Sequence, residues 1–365
     1  MRRSPLLLAA IAAALAVIAP AVARAQGTLS GQGFGYPPGG LSTRALGQGG
    51  GNAEADPGSA VNPAALALWG RAGFMFNYGP EFRTVDASGR SDRTTVSRFP
   101  LIAAATPVGE HFTVGVSAAT LLDRTFSTQA STKQVLSGGE TVTTTSFYSS
   151  DGAAEDLRGA LAWSPGHGIS VGVGLHAFTG ENRTHLGLSL VDSSLTSTTN
   201  TNPYLMALDS SVLHFSGAGF SAGLVLQPMR ALTLAASGRK GGTIRLNKGD
   251  TLRSTADIPD RYGFGVRFDG IPGASLSARA DWEGWSSLQG LGSSNVQTTD
   301  AWEYAAGADV AGPRFGTRVV QVRAGARIRT LPFLANGAEV KETAFSGGLG
   351  FPLAEGRAGL DLALQ

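Results

Sequence analysis

From Val320 to Ile328 apolar and polar positions alternate without interruption: Val320, Val322, Ala324, Ala326 and Ile328 lie on one face, Gln321, Arg323, Gly325 and Arg327 on the other, and Arg329 continues the second. Successive side chains of a strand point to opposite sides, so the segment predicts a β-strand with one apolar and one cationic flank. A single such strand suits a soluble sandwich with its apolar face in the core. It equally suits a membrane barrel with its apolar face in lipid and its polar face on an aqueous bore. Recurrence favours the barrel. Tyr262, Phe264, Val266 and Phe268 oppose Arg261, Gly263, Gly265, Arg267 and Asp269, while Leu276, Ala278, Ala280 and Trp282 oppose Ser277, Arg279, Asp281 and Glu283. Trp302, Tyr304, Ala306, Ala308 and Val310 oppose Glu303, Gly307 and Asp309, and Ala358, Leu360, Leu362 and Leu364 oppose Arg357, Asp361 and Gln365. Upstream, Ile169, Val171, Val173, Leu175 and Ala177 oppose Ser170, Gly172, Gly174 and His176. None of these segments carries the 3.6-residue period of a helix.

Pro and Gly punctuate the pattern into tight turns at residues 107–110, 165–168, 228–230, 270–273, 312–316 and 353–356. Longer polar stretches at 86–92, 123–155, 180–213, 247–257, 286–300 and 330–340 alternate with them, the asymmetry expected between the periplasmic and extracellular ends of a barrel. Together they join thirteen strands. Single-chain bacterial barrels have even strand counts, so the expectation is an all-β transmembrane antiparallel barrel of fourteen strands, of which this sequence holds thirteen. The alternative is an uncounted hairpin within 180–213, where Leu186, Leu188 and Leu190 also alternate.

The amino terminus changes the compartment. Arg2 and Arg3, the apolar run from Leu6 to Ala19 and the small-residue site Ala23-Arg24-Ala25 have the layout of a signal peptide cut between Ala25 and Gln26. The run is shorter than the ~20 residues of a spanning helix, and the flanks of a twin-arginine signal are missing. Its removal takes three arginines and no acid, leaving 26 basic and 27 acidic residues. A near-neutral chain lacks the clustered basic excess of a nucleic-acid binder. With no cysteine, neither a lipoprotein anchor nor a disulfide scaffold is available. No later stretch predicts a transmembrane helix, and an exported strand protein embedded in a membrane must close its sheet to satisfy every backbone group. Glycine at 51 of 365 residues suits the close neighbours and bends of such a wall.

Residues 26–69 read as a small hatch ahead of a barrel over 70–365: the segment is Gly-rich, yet too apolar at Ala60 to Leu68 for a disordered leader. Asn62 caps a short helix begun by Pro63 and Ala64. This segment, with Ser42-Thr43-Arg44-Ala45-Leu46-Gly47-Gln48-Gly49-Gly50 before it, resembles the start of the FadL-type outer-membrane transporters of hydrophobic compounds. There an S-x-R-A-x-G-x-G-G stretch and an N-P-A motif belong to a hatch in the periplasmic half of the barrel. Asp281-Trp282-Glu283-Gly284-Trp285-Ser286-Ser287 is similar to a strand end of that family, and fourteen strands is its count. The middle of the chain, 123–213, matches nothing in it.

The resemblance implies a monomeric barrel in the bacterial outer membrane, inserted by the barrel-assembly machinery and in contact with membrane lipid. It implies passive uptake of hydrophobic small molecules, long-chain fatty acids or aromatic hydrocarbons, without a cofactor or metal. The wider superfamily includes PorV-like barrels that bind protein partners in secretion, which stands as the alternative. Leu186, Leu188, Leu190, Tyr204, Leu205, Met206 and Leu208 are candidates for a capture surface on the 180–213 stretch, against the plainer reading that they extend neighbouring strands. Arg267, Arg279, Asp281, Glu283, Arg323 and Arg327 read as lumen charges in ion-pair ladders. On this reading Arg323→Ala should cost little beside a charge placed on the lipid face. Trp282, Trp285, Trp302 and Tyr304 read as an interfacial girdle. Five scattered histidines show no metal spacing; only His176, with Ser170 pointing the same way, is placed for nucleophilic chemistry, so no enzyme is expected.

Overall fold

A computed structural model of the chain describes residues 35–87, 90–136, 139, 141–192, 206–291, 297–315, 318–335, 338–354 and 357–365. Residues 1–34, which hold the expected signal peptide 1–25 and the start of the 26–69 segment, and Tyr204 and Leu205 lie outside the described residues. The wall begins with β1 (Gly73–Ala87), β2 (Arg90–Val108) and β3 (Phe112–Asp123), followed by β4 (Phe126–Val135), β5 (Thr141–Gly166) and β6 (Ile169–Asp192). It continues with β7 (Ala207–Met229), β8 (Leu232–Gly241), β9 (Thr243–Lys248), β10 (Thr251–Asp257), β11 (Arg261–Ile271) and β12 (Ala274–Glu283). β13 (Ala301–Phe315), β14 (Arg318–Ala335), β15 (Ala338–Leu353) and β16 (Ala358–Leu364) complete it. The hydrogen-bonded path runs β1-β2-β3-β5-β6-β7-β8-β11-β12-β13-β14-β15-β16, with β4 paired to β5 and the β9–β10 hairpin attached to β7. Thirteen strands therefore form the wall path, the number read from the alternation, and three short strands extend it. Among the described residues no ladder joins β1 to β16.

Exposure separates the two faces and excludes the sandwich. Phe74 and Leu175 are 78% and 74% exposed on the outside, whereas Arg279 and Arg323 are each 6% exposed on the inside. A soluble sandwich buries its apolar face; this wall displays it, as a sheet solvated by hydrocarbon must. One position departs from the pattern. Val320 is buried beside the register shift of the β13–β14 ladder between Ala311 and Arg314, so the regular face of β14 begins after it.

The polar stretches are more ordered than composition suggests. Residues 180–192 continue β6 and 207–213 belong to β7, so most of the 180–213 stretch is strand and not loop. Residues 123–155 contain the β4–β5 hairpin, 247–257 most of the β9–β10 hairpin, and 286–300 a 3-10 helix at Trp285–Leu291. In runs such as Thr143-Thr144-Thr145 both faces are polar, yet β-branching still favours strand.

The hatch fills the inside of the wall. Helix α1 (Thr43–Gly47) is capped by Ser42, whose hydroxyl accepts from the Ala45 N–H at 3.0 Å and donates to Asp56 at 2.6 Å. Ser59 donates to the same Asp56 oxygen at 2.7 Å, closing the hatch on itself. The hatch bridges the two ends of the ladder: Asn77 of β1 donates to the Leu41 carbonyl at 2.9 Å, and Gly47 lies against Gly348 of β15.

Candidate functional site

Asn62, Pro63 and Ala64 seat the hatch. Asn62 caps the 3-10 helix Pro63–Leu68 by accepting from the Ala64 N–H at 3.0 Å. Its amide donates to the Glu54 carbonyl at 3.0 Å and to Leu224 of β7 at 3.3 Å. This close approach requires glycine in the wall: a Cβ on Gly223 would overlap Asn62 Oδ1, and one on Gly172 would overlap the Pro63–Ala64 backbone. Gly307 and Gly325, directly opposite on β13 and β14, meet the Gln48 backbone in the same way. The S-x-R-A-x-G-x-G-G and N-P-A segments thus both touch the wall at backbone distance.

Glu54, 1% exposed, is a buried electrostatic link between hatch and wall. It pairs with Arg261, approaches Arg279 at 3.9 Å and accepts from Ser237 at 2.7 Å. Burial by itself raises a carboxyl pKa, but Arg261 and Arg279 outweigh it and hold Glu54 below the usual carboxylate range. The network continues through the predicted lumen charges. Asp281 lies 2.6 Å from Arg261 and 3.0 Å from Arg279, Arg279 reaches Glu303 at 3.2 Å, and Glu283 stands 3.8 Å from Arg261. Arg327 and Arg329 share Glu342 at 3.0 Å each, and Arg323 joins Asp309 at 3.0 Å to Asp361 at 2.5 Å. Arg267 stays apart, half-exposed and paired with Asp269 of its own strand.

This charged network borders a cavity open to solvent. Its lining combines Arg239, Arg261, Arg279, Asp281, Glu303 and Arg329 with Leu41, Leu121, Trp285 and Leu331. An apolar cluster of Phe178, Phe215, Ile244, Ile258, Leu288 and Phe333 adjoins it, sharing Leu121, Trp285 and Leu331 with the lining. Trp285 belongs here and not to a girdle: it is 1% exposed and donates to Glu283 at 2.5 Å. Trp282 stacks on Tyr262 at 5.7 Å and Trp302 on Tyr304 at 6.0 Å, pairs whose members lie on the outward face of their strands.

The wall is interrupted beside the cavity. The β2–β3 ladder runs from Val108↔Phe112 to Leu101↔Ala119 and stops, and residues 90–100 of β2 pair only with β1. Pro100, next in line, has no N–H to donate. Phe99 and Pro100 also oppose the single residue Tyr78 of β1, a bulge that turns the strand. Ala119, Thr120 and Leu121 on the other side of the break line the cavity. Farther out, Tyr36 pairs its backbone with Asp123 at 2.7 and 2.9 Å, and Arg98 bonds Asp123 across the opening while also pairing with Glu81 of β1.

The capture candidates do not converge. Leu186 and Leu188 are exposed and share a face of the β6 extension with Asp209 and Ala207 of β7; Leu208, opposite Gly187, lies on the other face. Leu190 is half-buried and Met206 exposed. His176 has partners that the sequence could not supply: Nδ1 lies 2.7 Å from Asp156 and Nε2 2.8 Å from the Ser221 hydroxyl. Ser170 bonds Ser164 instead. The order is wrong for nucleophilic attack, since Asp156 and His176 line the cavity and Ser221 does not. Glu54 was also missed, though an acid set among the small residues of 47–60 is a visible signal.

No protein-family model matches the chain, and no curated protein is significantly similar to it. Solved structures are. A FadL homologue of Pseudomonas aeruginosa is similar over 90% of this chain and 90% of its own, at 16% identity and a TM-score of 0.57. The toluene transporter TbuX of Ralstonia pickettii covers 89% of this chain and 92% of its own, at 14% identity and a TM-score of 0.53. The toluene transporter TodX of Pseudomonas putida covers 90% and 91%, at 10% identity and a TM-score of 0.53. At these identities the likeness is one of fold.

Proposed function

We propose, from this FadL-type fold, that the chain is a bacterial outer-membrane barrel for passive uptake of hydrophobic small molecules, exported by its signal segment and working as a monomer without catalysis. The observation that carries the reading is the interruption of the β2–β3 ladder at Pro100, opening beside a cavity walled by an apolar cluster and floored by the hatch. An apolar molecule gains about 25 cal/mol for each Å² it removes from water against Leu121, Trp285 and Leu331. A gap in the wall then lets it leave sideways into hydrocarbon without crossing the charged network. The names of the similar structures, a FadL homologue and toluene transporters, agree with that class of ligand.

The chain has no cysteine, so a disulfide can test the gap. Pro100→Cys with Thr120→Cys occupies the next positions along the interrupted ladder. Cells that depend on this barrel should lose uptake of labelled dodecanoate or toluene when the pair is oxidised and regain it on reduction. Undiminished uptake with the bond formed sinks the lateral route. A second reading, a PorV-like barrel that binds a protein partner, draws on the long β5–β6–β7 ribbon with Leu186, Leu188 and Leu208 exposed. It gains ground if the wild-type chain takes up neither compound and a defined secretion component binds it through that ribbon.

A further inference from the structure

One end of the wall, formed by the tight turns and the link from hatch to β1, carries a one-sided charge. Arg71 in that link, Arg230 in the β7–β8 turn, Arg314 and Arg318 flanking the β13–β14 turn and Arg357 just before β16 are all exposed. Nearby carboxylates are engaged elsewhere: Asp269 with Arg267, and Asp309 and Asp361 with Arg323. Among the described residues none of the five arginines forms an ion pair, with exposed Glu110 of the β2–β3 turn or with any other acid. The opposite end is neutralised. There, exposed Arg183 and Lys240 each hold a carboxylate at 2.5 Å, Glu181 and Asp260.

Neighbouring residues fix the level at which these cations stand. Phe112 and Trp163, a facing pair of the β3–β5 ladder at this end, are exposed, as are Met229 beside Arg230 and Leu353 ahead of the turn that holds Arg357. Exposed aromatic and apolar residues at strand ends mark the boundary between hydrocarbon and head groups. An arginine there lays its methylenes on the apolar side and its guanidinium in the polar layer, where phosphate oxygens accept from it in pairs. The five arginines are spread over four connections of the rim, which suits a leaflet surrounding the barrel better than a folded partner seated on one side. We propose that this rim binds anionic phospholipid head groups of the inner leaflet, most strongly at Arg314, Arg318 and Arg357 on the neighbouring β13–β14 and β15–β16 turns. The proposal rests on the outer-membrane placement given above and not on uptake.

Electron spin resonance of spin-labelled phosphatidylglycerol and phosphatidylcholine, in phosphatidylcholine bilayers holding the refolded full chain, measures the preference directly. At low salt phosphatidylglycerol should associate about five-fold or more strongly than phosphatidylcholine, the worth of one arginine at an anionic surface, and 0.5 M salt (roughly a 4 Å screening length) should weaken it. Arg314→Gln, Arg318→Gln and Arg357→Gln together should abolish the preference. Arg183→Gln with Lys240→Gln, at the opposite end, should leave it intact. If the triple variant does not fold, Arg314→Gln and Arg357→Gln singly should each reduce the preference, and no reduction in either overturns the rim. A wild type that enters the bilayer without preferring phosphatidylglycerol, or a triple variant that keeps the preference, overturns the rim alone. Binding of soluble polyglutamate without any lipid preference assigns the arginines to an acidic polypeptide and also overturns it. A wild type that never enters bilayers overturns the membrane placement together with the rim, whereas loss of toluene uptake with the lipid preference intact sinks uptake and leaves the rim standing.

Discussion

Replacing Glu54 by Gln removes a buried charge that ties the hatch to the wall while preserving the side chain's shape. Glu54 is 1% exposed and faces Arg261 and Arg279, so the change deletes one partner of a buried ion pair, a class of substitution that costs ~3–5 kcal/mol. The lower end applies. Arg261 keeps Asp281 at 2.6 Å, Arg279 keeps Asp281 and Glu303, and the Gln carbonyl can still accept from Ser237. About 3 kcal/mol of lost anchoring corresponds to roughly 150-fold easier opening of the hatch relative to the barrel. Hydrogen exchange read by mass spectrometry on peptides spanning 42–56 measures this directly, because the Leu46, Gln48 and Gly50 amides are bonded within the hatch. Peptides from β12 and β13 serve as the reference for the wall. Exchange accelerated less than about three-fold, with the reference unchanged, would refute the assignment of Glu54 as the anchor. Adding Arg261→Met to Glu54→Gln should not weaken protection further by a comparable amount, since contacting partners are not additive.

The same anchor should respond to pH. Because its folded pKa is lowered, the stabilisation from Glu54 is fully present above the ordinary carboxylate range and is lost as pH falls through the lower folded value; Glu54→Gln should flatten that dependence in the same exchange assay. Gly325→Val should displace the hatch, because a Cβ there overlaps the Gln48 carbonyl, raising protease cleavage within 42–69; Gly347→Ala, whose nearest neighbour is 4.0 Å away, should not. Leu175→Arg puts a charge on a 74% exposed, lipid-facing position and should cost ~2–4 kcal/mol in the urea unfolding of the refolded barrel. Arg323→Ala, mild on the sequence reading, should instead destabilise measurably in that experiment, because buried Asp309 loses its 3.0 Å partner.

The alternation along β6, β11, β12 and β14 specified strands, two unlike faces and a thirteen-strand path, because period-two patterning is a local property that survives in the sequence whatever the strand pairs with. The N-P-A segment was legible for a similar reason: a cap and a proline-led turn are made by neighbouring residues. The full length of β5 and β6 was not, because Thr- and Ser-rich ribbons lose the polarity contrast that marks a wall strand. Nor was the site. Glu54 meets Arg261 across 207 positions and Asp156 meets Arg239 across 83, so only the packing of hatch against wall and of strand beside strand brings those charges together. The turn of Trp285 into the cavity and the end of the β2–β3 ladder at Pro100 are likewise properties of which strand lies beside which. Periodicity determines where each side chain points; tertiary pairing decides what it meets.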